Sequence, residues 1–137
     1  SMKPIFVEEM LKACENKDLV FASRDLKGGG SDDDTFLTIV GNKIFSFIGN
    51  FFFKLNLSDI LYTYVLGRTS SAKKLFLKYH DFRICVEIPI LAKFYNYQYI
   101  SLPSIERKRI GGKKKVNEFK DGFLILTAMI NLFFKKR

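Results

Sequence analysis

A chain of 137 residues, 47% hydrophobic and 15% aromatic, holds enough apolar mass to bury a core, which excludes a largely disordered protein. Its 23 Lys and Arg against 14 Asp and Glu leave a net +9, which points to anionic partners: phospholipid headgroups, nucleic acid or acidic proteins. Two cysteines cannot build a disulfide framework, one histidine without a CxxC pair argues against structural zinc, and Asp32-Asp33-Asp34 lacks the EF-hand spacing for calcium, so no metal site is expected.

Taken in order, the chain reads as a single domain over 1–137. Phe6, Met10 and Cys14 recur every four residues with Val7 and Leu11 beside them, which predicts a short helix over 4–15 begun by Pro4. Glu8, Glu9 and Lys12 interrupt any signal-peptide core. With so few cysteines, an intracellular, cytoplasmic location is expected. Strands are then predicted across 18–102. Leu19 to Phe21 is the first, followed by a mobile loop through Gly28-Gly29-Gly30 and Asp32-Asp33-Asp34. Phe36–Val40 and Lys43–Ile48 flank Gly41-Asn42, a hairpin signal, and Gly49-Asn50 repeats it before Phe51–Leu55. Ile60–Leu66, Lys73–Tyr79, Phe82–Ile88 and Tyr97–Leu102 complete the series.

The chain ends in a predicted helix over 116–135. Phe119, Phe123, Leu126, Ile130 and Phe133 form one stripe, expected to pack on the strands. Ile125, Met129 and Leu132 form a second, left for a protein partner or a second copy of the chain. The longest apolar run, Phe123 to Ile130, falls short of the roughly 20 residues of a bilayer span.

About seven short strands and one C-terminal amphipathic helix resemble the pleckstrin-homology (PH) family. Phe53-Lys54-Leu55-Asn56-Leu57-Ser58-Asp59-Ile60 looks like its fourth strand. Lys74–Lys78 and Arg83–Ile88 look like the fifth and sixth. The resemblance implies a mainly β fold: a small seven-stranded antiparallel barrel with a C-terminal capping helix, here with an extra short N-terminal helix. It also implies a non-catalytic adaptor. In phosphoinositide-binding members basic residues lie across the first two strands, where this chain has Arg24 and Lys27.

The densest charge is Arg107-Lys108-Arg109-Ile110-Gly111-Gly112-Lys113-Lys114-Lys115, with six positive residues in nine. Near an anionic membrane each contributes about 1 kcal/mol, which predicts weak phospholipid association and peripheral attachment. The same segment would serve a nucleic-acid-binding barrel, the alternative reading; a purely structural assembly subunit is the third. Catalysis has no candidate residue beyond His80 beside Asp81 in a turn, and no cofactor is implied.

Overall fold

The computed structural model describes residues 4–32, 35–62, 64–106 and 118–135. Helix α1 (Ile5–Ala13) ends in a 3-10 turn and leads into strand β1 (Leu19–Ser23). The two-residue strand β2 (Gly30–Ser31) precedes helix α2 (Phe36–Phe53). Strand β3 (Val65–Gly67) and the short helix α3 (Thr69–Lys73) follow, then helix α4 (Ile84–Phe94). Strands β4 (Tyr99–Pro103) and β5 (Ile105–Glu106) and helix α5 (Glu118–Phe134) complete the chain.

The expected seven-stranded barrel does not form. Instead three strands in the order β3-β1-β4 make one small sheet, and β2 with β5 makes another. Strand β1 pairs antiparallel with β3, Leu19 opposite Gly67, and parallel with β4, Leu19 opposite Tyr99. Parallel neighbours require a long crossover, and residues 24–98 supply it with three helices. Every residue of β1 is buried, so both its faces are covered. Leu19 and Phe21 join Leu55, Ile90, Met129 and Leu132 on one side. Val20 and Ala22 meet Phe6, Met10 and Cys14 of α1 on the other. The fold is thus a small sheet between helical layers, and the PH-like architecture is corrected to α/β.

The largest error lies at α2, where three predicted strands are one helix. Thr35 caps its start, its hydroxyl accepting the Thr38 N–H at 3.3 Å. Lys54 ends it in the left-handed region at φ 56°. Gly41-Asn42 and Gly49-Asn50 are not hairpin turns. They place Asn42, Ser46, Gly49 and Phe53 at i, i+4, i+7 and i+11, the helix's buried stripe. A Cβ at Gly49 would lie 2.8 Å from Ile60 Cδ1, so the glycine lets the 54–61 segment come close.

Of Phe82–Ile88, the residues from Ile84 on are likewise helical, within α4. Its Glu87 is buried and accepts the N–H groups of Lys78 at 2.8 Å and Tyr79 at 3.1 Å. Lys73–Tyr79 forms no strand, and of Ile60–Leu66 only the end enters β3. The glycine loop is also less free than expected. Gly30 and Ser31 pair with Ile105 and Glu106, although Asp33 and Asp34 lie outside the described residues. The helix over 4–15, the strands at Leu19 and Tyr99, and the final helix are where the sequence placed them.

Candidate functional site

The site begins with an inversion in α2. An amphipathic helix ordinarily turns its apolar stripe to the core and its polar residues to water. In α2 the inward residues are mostly polar or small, and they are used for hydrogen bonds. Asn42 Nδ2 donates to Asp59 Oδ1 at 2.7 Å, while its Oδ1 accepts the Leu61 N–H at 3.0 Å. Ser46 Oγ accepts the Ile60 N–H at 3.0 Å. Asn50 clamps Leu57 through both backbone groups, at 2.7 and 2.8 Å. These bonds hold the 57–61 segment against the helix.

Asp59, its side chain fully buried, is also the partner of Arg24. Arg24 Nε donates to Asp59 Oδ2 at 2.8 Å and the second arm to Oδ1 at 2.9 Å, while the Arg24 backbone N–H meets Oδ2 at 2.7 Å. The remaining arm reaches Glu106 at 3.2 Å, and the guanidinium lies 4.3 Å from the centre of the Tyr62 ring. The Arg24 side chain is only 8% exposed. It therefore ties the end of β1 to β5 and to Asp59, which in turn holds Asn42 of α2, rather than facing a lipid headgroup, and this corrects its assignment as an anion ligand. Lys27 does lie at the surface.

Asp25 adjoins this cluster, with its Oδ2 3.3 Å from Asn42 Nδ2. Burial, then the charge of Asp59, push its carboxyl above the usual carboxylate range. The folded state therefore favours the protonated form, and ionisation at neutral pH costs stability. Asp25→Asn is expected to raise the urea midpoint slightly at pH 7. That gain should shrink as pH falls through the raised value towards the ordinary one, where folded and unfolded chains both hold the proton.

With its polar residues inward, α2 presents its apolar ones outward. Phe36 is 83% exposed and Phe47 and Phe51 each 66%; Leu37, Ile39, Ile44 and Phe52 are exposed as well. Helix α5 runs beside α2 in the same direction. Phe45 lies over Gly122, and Phe52 and Phe53 meet Phe133 with ring centres 5.6 and 5.9 Å apart. Its own Phe119, Phe123, Leu126, Ile130 and Phe134 extend the surface. Phe47, Phe51, Phe52, Phe133 and Phe134 form an unbroken chain of ring contacts across both helices.

Between the helices lies a groove of about 300 Å³, its walls wholly apolar. Monomeric proteins rarely expose contiguous apolar patches beyond a few hundred Å². By length and composition α2 could cross a membrane, a test that core helices of soluble proteins also pass.

The sequence anticipated two stripes on α5 and assigned them the wrong way round. Ile125, Met129 and Leu132, proposed for a partner, are the buried set. Phe119, Phe123, Leu126, Ile130 and Phe133, expected on the core, face outward. The reason is geometric: smaller Ala128 and the slender Met129 fit beneath α2 and α4, where a row of phenylalanines would not. Phe47, Phe51 and Phe52 were missed because their segments were read as strands of a barrel. A helical reading of 36–53, with Asn42, Ser46 and Gly49 on one side, would have found them.

The basic residues Arg107, Lys108, Arg109, Lys113, Lys114 and Lys115 lie outside the described residues. The Tyr97 and Tyr99 hydroxyls donate to the carbonyls of Ser71 and Leu55. Neither protein-family models nor curated proteins match this sequence, so the aromatic face of α2 and α5 carries the functional argument by itself.

Proposed function

We propose that this chain is a non-catalytic docking domain inside the cell, held in a larger assembly by burial of its α2–α5 face against a protein. One observation carries the reading: α2 turns Asn42 and Ser46 inward and Phe36, Phe47, Phe51 and Phe52 outward. That arrangement suits a helix buried from two sides, by its own domain and by something else. Fully burying one such side chain contributes about 1.5–3 kcal/mol, so a face of this size can sustain a permanent complex. The PH-type lipid pocket drops out together with the barrel.

A second reading, peripheral attachment to anionic phospholipid, draws on a different feature. Helix α5 is bracketed in sequence by Arg107–Lys115 and Lys135–Arg137, and membrane-surface helices combine aromatic faces with such cations. Nucleic-acid binding has the basic segment as its sole support.

Size-exclusion chromatography of native lysate separates these readings when a Phe51→Glu/Ile130→Glu variant is run beside the wild type. Docking on a protein predicts that the wild-type chain elutes in a complex and that the variant elutes as a monomer. A wild-type monomer in the soluble fraction would overturn the docking reading. Flotation of the wild type with vesicles, lost in the variant, would replace it with the membrane reading.

A further inference from the structure

The walls of the α2–α5 groove restrict what can fill it. Resting on the docking reading above, we infer that the occupant is an amphipathic helix of a different protein, apolar along one side and acidic along its flanks.

The first restriction is polarity. Ile48, Phe52, Phe53, Leu126, Ile130 and Phe133 line the groove, and no polar surface interrupts them. A phosphate, a sugar or an unpaired backbone amide placed there would lose its water without gaining a partner, at a cost of several kcal/mol. Nucleotides and extended strands are therefore poor occupants. A helix bonds its own backbone and offers only side chains, as helix-in-groove complexes do.

The second restriction is shape. Helices of 18 and 17 residues lie side by side for about 25 Å, and the trough between two such helices accepts the ridge of a third. A bilayer surface offers no ridge. Laid against one, the groove would be filled by fluid acyl chains, without the fixed ridge-in-groove packing a helix supplies.

The third restriction is charge. Opposite the flank of α2 that meets α5, helical spacing places exposed Lys43 beside Asn50. Exposed Lys135 lies just beyond the end of α5. Lys43 and Lys135 are thus exposed at the borders of the face, while Asp25 on the Lys43 side is held by Asn42 on the inward side of α2. A second copy would set lysines against lysines, and +9 against +9. Complementarity selects a partner with acidic flanks.

The test places a photo-crosslinking benzoylphenylalanine at Phe52 of the whole chain in its native cell. The same label at Tyr95, which follows α4, serves as the control. Phe52 is half exposed and the probe is itself aromatic, so the fold should tolerate it. Expected is an adduct, absent from the Tyr95 control, to one protein at a segment with apolar residues every three or four positions and Asp or Glu beside them. Lys43→Glu/Lys135→Glu should reduce that adduct about ten-fold, the scale of two reversed rim charges.

An adduct to a protein segment lacking this pattern would overturn the acidic helix while leaving docking intact. Self-adducts would do the same and make the occupant a second copy. Adducts to lipid, or none at all, would overturn both.

Discussion

Asp59→Ala is expected to destabilise the protein by about 3–5 kcal/mol, a large part of the roughly 5–15 kcal/mol that holds a domain folded. In thermal unfolding followed by circular dichroism, the midpoint should fall by about 10–20 °C. Removing the carboxylate strips Arg24 of its bidentate partner while keeping the guanidinium inside. Glu106 remains on one arm at 3.2 Å and moderates the loss. Asn42 loses its 2.7 Å acceptor, and the Arg24 backbone N–H loses one too.

A comparison separates the pair's net value from the cost of orphaning one member. Burying two charges is expensive, so replacing both can be nearly neutral where replacing one is not. Arg24→Met/Asp59→Leu should therefore recover much of what Asp59→Ala loses. Asp59→Asn, which keeps an acceptor but no charge, should fall between wild type and alanine. A loss under about 1 kcal/mol for Asp59→Ala would place the ion pair in the solvent-exposed class and refute its role as the fastener between α2 and β1.

At two of the elements legible from sequence, α1 and β1, apolar residues point at the protein's own core. Phe6, Met10 and Cys14 repeat at helical spacing and are buried, so pattern and structure agree at α1. Leu19 to Phe21 reads as a strand because it is one, covered on both faces. The pattern misled wherever an apolar face looks outward. In α2 the phenylalanines and isoleucines carry β-type composition, which is a preference for fitting packed surfaces rather than a property of the backbone. Their neighbours Gly41-Asn42 and Gly49-Asn50 then mimicked turns.

Buried polar residues misled in the complementary way. Glu87 and Asp59, both in segments read as strands, turn inward to satisfy backbone N–H groups or Arg24. One sequence cannot show which polar residues find partners far away in the chain. Asn42 and Asp59 are 17 positions apart, and Arg24 and Glu106 are 82. The face that carries the functional reading was hidden for the same reason: hydrophobicity was equated with interior.

The sharpest check on that face is a pair of neighbouring substitutions in α5. Met129→Lys is expected to unfold the protein or cost it more than about 4 kcal/mol, because Met129 is 2% exposed and sits among Leu19, Leu55 and Ile90. Ile130→Lys, one residue later, is expected to change stability by less than about 1 kcal/mol, since Ile130 is 48% exposed. Lysine ranks above isoleucine as a helix former and close to methionine, so intrinsic propensity cannot produce a difference of that size. Urea unfolding of both variants reads the orientation of α5 directly.

The second variant should also be the more soluble in isolation, with less binding of a hydrophobic dye, because it interrupts the exposed aromatic surface. The opposite ranking, with Met129→Lys tolerated and Ile130→Lys unfolded, would rotate α5 by one position. Ile125, Met129 and Leu132 would then be the outward stripe, and the groove against Phe52 would not exist. A fold that tolerates lysine at both positions would mean that α5 packs on nothing. The aromatic face would then be a property of α2 alone.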